Sequence, residues 1–265
     1  METPRPTDLV ALARTVADDT AAMVASRVDD AHGHDTKSSP TDVVTEVDRA
    51  AERRIVTMLL DARPDDGVVG EEGADHAGAS GVRWIIDPID GTTNFFYGLA
   101  GFAISIAAEV DGVVVAGAVA DPLHRETFTA TLGGGAFCND APIRVNDHRD
   151  LATALVGTGF SYEPDRRRRQ ADVLRAVIGE VRDIRRLGAA SVDLCAVARG
   201  RLDGYYEKGL NVWDYAAGAL VASEAGAVLG DLDGGPPSSA FTLAAAPRIF
   251  EPLRALLRAA GAADA

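Results

Sequence analysis

The chain has 265 residues, 47% hydrophobic and 25% charged, which bounds it to an ordinary globular protein with ample core, as one large domain or two small ones. Lys and Arg number 26 against 40 Asp and Glu, a net charge of −14. A surface of that sign repels nucleic acid and anionic membranes and argues against a general role with either; it admits an anionic substrate only where cations reverse the field locally.

Residues 1–6 read as a loose tail without a signal-peptide core, and no stretch approaches about 18 uninterrupted apolar residues, so the expected location is cytoplasmic. Thr7-Asp8 caps a helix in which Leu9, Leu12, Val16 and Met23 recur at helical spacing. Lys37-Ser-Ser-Pro40 leads through Asp42-Val-Val-Thr45 into a second helix, with Val47, Ala51, Ile55, Met58 and Leu59 on one face and Pro64 beyond its end. Asp48 falls in the first turn, where favourable interaction with the helix dipole accounts for it on its own.

Gly67-Val-Val-Gly70 is a short strand signal ending in Glu71-Glu72. Trp84-Ile-Ile86 predicts the end of a buried strand. Asp87 follows, Pro88 is expected to stop the ladder by removing a donor, and Asp90-Gly91 turns the chain. Thr92, Thr93 and Asn94 suit the opening of a helix, where free N–H groups can hold an anion. An Asp-rich turn accounts for these residues equally well when they are taken alone.

An all-β passage comes next: Phe102 to Glu109, a turn at Asp111-Gly112, Val113 to Ala120, then Arg125 to Thr131. Gly133-Gly134-Gly135 lies between strands and reads as a turn, not a nucleotide loop. Leu155 to Gly157 is a strand. Arg166 to Arg169 opens a surface helix, and the four arginines read as a solvated helix end, with phosphate binding as the alternative. Ala189 to Ala198 is a helix of small residues and Asp203 to Glu207 a strand. Asp214 is placed at the N-cap of a helix running to Gly226. Strands at 228–232 and 242–244 and a helix from Pro247 finish the chain. The halves divide at about residue 150, as 8–150 and 151–265, and the order of elements predicts helices layered on two sheets, an α+β or mixed α/β sandwich. Cys138 and Cys195 sit in apolar surroundings and are expected to be buried free thiols.

Glu71, Asp87, Asp90 and Asp214 each stand where a regular element starts or stops. If they converge, a charge of about −4 needs compensation, and a pair of Mg²⁺ ions about 3.5–4 Å apart supplies it while suiting in-line hydrolysis of a phosphate ester. Rival chemistries fit less well. Asp87-Pro-Ile-Asp90 is one residue too long for the Asp-x-Asp of haloacid-dehalogenase phosphatases, and the chain has neither a phosphate loop ending in Gly-Lys-Ser/Thr nor a Gly-x-Ser-x-Gly elbow. His32, His34, His76, His124 and His148 lack zinc spacing.

Asp87-Pro-Ile-Asp-Gly-Thr-Thr-Asn-Phe95, together with Trp213-Asp-Tyr-Ala-Ala-Gly218 and Glu224-Ala-Gly226, resembles the paired signatures of the inositol monophosphatase family. Gly70-Glu71-Glu72, Lys37-Ser-Ser-Pro40 with Asp48, Gly133 to Phe137 and Gly188-Ala-Ala190 match its other landmarks in order, over roughly residues 8–260. The resemblance implies a five-layered αβαβα sandwich, a homodimer, two to three Mg²⁺ ions and sensitivity to Li⁺. It places Glu71, Asp87 and the Ile89 carbonyl on the first metal, and Asp87, Asp90 and Asp214 on the second. Glu71 and Thr92 would orient the attacking water, with Asp48 supporting Thr92. The N–H groups of Gly91, Thr92 and Thr93 would hold the phosphate, while Asp90, Gly188, Ala190, Glu207 and Asp214 would meet the hydroxyls of a sugar or cyclitol. The implied activity is hydrolysis of myo-inositol monophosphate. Fructose 1,6-bisphosphate, histidinol phosphate and adenosine 3′,5′-bisphosphate are alternatives, and a mainly protein-binding role is the rival from another class.

Overall fold

The computed structural model describes residues 4–28, 34–36 and 43–265, and Lys37-Ser-Ser-Pro40 lies outside them. Two helices, α1 (Pro6–Ala25) and α2 (Glu46–Ala62), form an outer layer. A small hairpin of β1 (His34–Thr36) and β2 (Val43–Thr45) stands before α2.

Beneath the outer helices lies an eight-stranded sheet. It comprises β3 (Gly67–Gly70), β4 (Asp75–His76), β5 (Val82–Asp90), β6 (Ala103–Val110), β7 (Val113–Asp121), β8 (Glu126–Thr131), β9 (Gly135–Cys138) and β10 (Ala141–Pro142). Its order is β10-β9-β8-β7-β6-β5-β3-β4, and β3–β5 is its one parallel pair. A short helix, α3 (Thr92–Phe96), follows β5.

The second sheet holds β11 (Leu155–Thr158), β12 (Asp183–Arg185), β13 (Gly204–Glu207), β14 (Val228–Gly230) and β15 (Thr242–Ala245), in the order β12-β11-β13-β15-β14. Between the sheets lie α5 (Ala190–Ala198) and α6 (Val212–Glu224). On the far side lie α4 (Pro164–Val177) and α7 (Pro247–Ala259). The result is the expected αβαβα sandwich.

Each junction between layers has its own apolar cluster, and strand alternation feeds them. Trp84 and Ile86 of β5 pack toward α1 and α2, whereas Ile85 packs toward α6. On the second sheet Tyr205 faces the middle helices and Tyr206 faces α7. A sheet covered on both faces needs strands that are apolar on both, which is why Trp84-Ile-Ile86 is a continuous apolar run. The middle helices are covered on both sides as well, and their small residues permit close approach. A Cβ on Gly117 of β7 would lie 3.1 Å from the Ala217 Cα, so α6 rests on the backbone of that strand. Cys138 of β9 and Cys195 of α5 are buried free thiols in the apolar cluster between the first sheet and the middle helices.

Three local expectations are corrected. Strand β5 continues through Pro88 to Asp90, because its pairing with β6 shifts register between Asp87 and Asp90. Asp87 opposes Ser105 and Asp90 opposes Ala103, so β5 carries one extra residue there and Pro88 sits in a bulge. Asp183–Arg185 forms an edge strand of the second sheet, in a stretch for which the sequence predicts no element. Finally, Asn211 and not Asp214 is the N-cap of α6; Asp214 is its third residue.

Candidate active site

The bulge in β5 builds the centre of the site. Residues three apart on a regular strand point to opposite faces. The extra residue cancels that offset, and both Asp87 and Asp90 line one cavity of about 430 Å³. Next, Gly91 adopts φ 92°, in the left-handed region, and caps α3. A side chain there is excluded twice over, since a Cβ would also stand 2.7 Å from the Gly101 carbonyl.

Glu71 enters the cavity from the end of β3. Its loop is held by Glu52 of α2, whose carboxylate accepts hydrogen bonds from the N–H groups of Glu72 (2.8 Å) and Ala74 (3.0 Å). Glu52 was not singled out in the sequence, although an acid on the buried face of α2, one turn after Asp48, is a readable signal.

Asp48 and Asp214 occupy equivalent positions in two helices. Each is the third helical residue and reaches back to the N-cap N–H: Asp48 to Thr45 (2.8 Å) and Asp214 to Asn211 (2.6 Å). The other oxygen of Asp48 lies 2.9 Å from Thr92 Oγ1, which also stands 3.0 Å from the Ile89 carbonyl. A hydroxyl carries one hydrogen, so Thr92 donates to one of these at a time. Asp90 accepts from the Ser191 N–H at 2.7 Å, tying β5 to the start of α5. Asn94 makes a second tie, donating to the carbonyls of Gly101 and Leu187, each at 2.7 Å.

Mutual repulsion records the convergence of the acids. Burial pushes the Asp87 carboxyl well up, and Glu71, Asp90 and Asp214 push it further. Asp90 is raised to about 7, by burial first and then by Glu71 and Glu207, against the hydrogen bond from Ser191. Asp214 is raised well above its usual value by burial, Asp90 and Glu71. Burial also lifts Asp48, against its bonds to Thr45 and Thr92.

Among the described residues no three acids form a closed coordination shell as they stand. The fit to a cation therefore rests on the donor set. Asp87, Asp90 and Asp214 each use one oxygen on a backbone N–H, which leaves hard oxygen donors together with Glu71 and the Ile89 carbonyl in one cavity. That set suits a hard cation such as Mg²⁺, since among the described residues no Cys or His lines the cavity.

Of the sequence-predicted site residues, Glu71, Asp87, Ile89, Asp90, Gly91, Thr92, Gly188, Ala190, Glu207 and Asp214 line the cavity. Asp48 stands behind Thr92, and Thr93 does not line the cavity. Glu207 at the end of β13 has one oxygen bonded by the Tyr205 hydroxyl at 2.6 Å, so one oxygen remains for a ligand hydroxyl. Burial raises its carboxyl, while Tyr205, Arg186 and Arg166 lower it. Asp193, Arg166, Arg186 and Lys208 also line the cavity and were not singled out as site residues.

A cluster of hard oxygen donors at a strand bulge, in a layered αβαβα fold, suits a cation and phosphoryl chemistry. Over residues 6–262 the chain matches the model of the inositol monophosphatase family, and it belongs to that family. It is 44% identical to the inositol-1-monophosphatase SuhB of Mycobacterium tuberculosis, covering 96% of each chain. It is 43% identical to the Nus factor SuhB of Pasteurella multocida over 82% of each. The solved structure of the extragenic suppressor protein suhB from Bartonella henselae superposes with a TM-score of 0.90 at 36% identity, covering 95% of this chain and 98% of that one. The protein is a phosphatase.

Proposed function

We propose that the chain hydrolyses myo-inositol monophosphate, with Mg²⁺ in the acid cluster and water as the nucleophile. The observation that carries this reading is the convergence of Glu71, Asp87, Asp90 and Asp214 on one cavity with the Asp48–Thr92 pair behind it. The name of the mycobacterial relative supports the choice of ester. Bound there, two to three Mg²⁺ ions would offset the clustered charge, polarise the phosphoryl group and lower the pKa of the attacking water.

The chain's own groups do the rest. With its hydrogen directed to Asp48, Thr92 Oγ1 can accept a hydrogen bond from a water aimed at phosphorus and so orient it, and the Glu71 carboxylate can take the proton that this water releases. The N–H groups of Gly91 and Thr92, at the start of α3 where intrahelical partners are lacking, can meet phosphoryl oxygens, whereas Thr93 lies off the cavity. The alcohol would be placed by Glu207, Ala190, Gly188 and Asp90 through its hydroxyls. Site residues come from both halves of the chain, so we treat 1–265 as one catalytic unit.

Phosphate release from inositol 1-phosphate, fructose 1,6-bisphosphate, histidinol phosphate and adenosine 3′,5′-bisphosphate in Mg²⁺ tests the reading. Inositol 1-phosphate should be turned over with Mg²⁺ and not in chelator; no release from it would refute the assignment. The Pasteurella relative is named a Nus factor, which motivates a second, protein-binding reading. The intact set of acids favours the enzyme. A turnover-dead Asp87→Asn, Asp214→Asn protein that still binds a partner fully would support the second role.

A further inference from the structure

Asp193 is a buried acid outside the metal-type cluster. It is the fourth residue of α5 and only 2% exposed, and its Oδ1 is buried with no hydrogen-bond partner among the described residues. Four other acids of the same cavity each have a fixed partner. Asp87 accepts from the Ile89 N–H, Asp90 from the Ser191 N–H, Asp214 from the Asn211 N–H and Glu207 from the Tyr205 hydroxyl. A carboxyl group buried without a partner is costly, whether ionised or neutral, so Asp193 calls for a partner from outside the chain.

Its surroundings direct it to the alcohol. Ala190 and Asp193 are three apart on α5, hence on one face of the helix, and both line the cavity. Opposite them run Gly157 of β11 and Gly159 just beyond it, and the absence of side chains there makes room for two acids. A Cβ on Gly157 would stand 2.5 Å from Asp193 Oδ1, and one on Gly159 would overlap the Glu207 carboxylate. Asp193 and Glu207 thus share one side of the cavity, over chain positions about 6–7 Å apart if extended, the breadth of a hydroxylated six-membered ring.

The local charge narrows the occupant further. Burial raises the Asp193 carboxyl well above its usual range, Glu207 and Asp90 raise it more, and Arg186 opposes them. An anionic group would meet three neighbouring acids, whereas a neutral hydroxyl can donate to a carboxyl oxygen in either protonation state.

We propose that Asp193 binds a ring hydroxyl of the alcohol, one that Glu207 does not take, and is a specificity-determining residue for polyol phosphates over simple alkyl phosphates. The proposal rests on the inositol monophosphate reading and deepens it by adding a side chain that recognises the alcohol.

The test compares kcat/KM for inositol 1-phosphate and cyclohexyl phosphate, which has the same ring without further hydroxyls, in the wild type, Asp193→Asn and Asp193→Ala. The loss in Asp193→Ala should be about tenfold or more larger for inositol 1-phosphate than for cyclohexyl phosphate, and should lie mainly in KM. Asp193→Asn, which keeps one acceptor oxygen, should recover part of it. Among monodeoxy-inositol 1-phosphates, one should lose about the same factor with the wild type and lose nothing further with Asp193→Ala. A merely structural role would lower Tm and the rates on both esters together; that outcome, or no loss on either ester, would overturn the proposal. No Mg²⁺-dependent release from inositol 1-phosphate by the wild type would instead overturn the reading on which it rests.

Discussion

The two walls of the cavity are built by different means. One is made from contiguous chain: β5, its bulge and α3 deliver Asp87, Ile89, Asp90, Gly91 and Thr92 within six residues, and most of their polar atoms are fixed by backbone or buried partners. The opposite wall gathers single side chains from α4, the segment before α5 and β13, where Arg166 and Arg186 act on the Glu207 carboxyl through their charge. The first wall is thus pre-organised for one chemistry, while the second can be altered one side chain at a time to change the alcohol. Two direct bonds hold the walls together, Asp90 to Ser191 and Asn94 to Leu187.

Substitutions should separate the walls. The largest expected effect is Asp90→Asn, which removes a carboxylate oxygen from the acid cluster and should lower turnover by at least about 10²-fold, roughly 2.7 kcal/mol of transition-state stabilisation. Near wild-type kcat in a phosphate-release assay would break the distinction between the walls. Next comes Asp48→Ala, which loses both the hydroxyl contact to Thr92 and the reciprocal cap of α2. Turnover should drop about tenfold and stability by about 1–2 kcal/mol in urea melts.

A pH effect of intermediate size follows from the raised acids. Asp90 has a folded pKa of about 7 against an ordinary 3.8, so the folded chain holds a proton that the unfolded chain has released. Without a metal, its contribution to stability is fully present below about pH 4 and is lost as pH rises through about 7. Chelated protein should therefore melt several degrees lower at pH about 8 than at pH about 5.5, and Mg²⁺ should raise Tm more at the higher pH. Calorimetry showing an equal Mg²⁺ shift at both values would contradict the account. The smallest effect belongs to Arg168, whose exposed pair with Asp165 contributes under about 0.5 kcal/mol. Arg168→Gln should leave both Tm and ester preference unchanged.

Much of the first wall was legible because its residues are adjacent in the chain and their order carries the family signature. Glu71 and Asp214 were legible as acids at the ends of elements, and the resemblance then placed them on the metals. The bulge was not legible: Pro88 looks like the end of a strand, and only pairing with β6 shows that its missing N–H falls where the ladder skips a residue. Asp214 was displaced from cap to third position because Asn211, an equally good cap, lies three residues before it. The second wall was hardest to see. Arg166 cannot be told from Arg167, Arg168 and Arg169 by composition, since what separates them is the direction each takes from the helix. Asp193 reads as an ordinary helical residue until the middle layer encloses it.

The central claim is that Glu71, Asp87, Asp90 and Asp214 act together through bound Mg²⁺. The most direct measurement is phosphate release from inositol 1-phosphate by chelated protein titrated with Mg²⁺, for the wild type and Asp214→Asn. The account predicts no turnover in chelator, saturable restoration in the wild type, and a curve for Asp214→Asn that is both shifted to higher Mg²⁺ and lower at saturation. Full turnover in chelator, or superimposable curves for the two proteins, would contradict it.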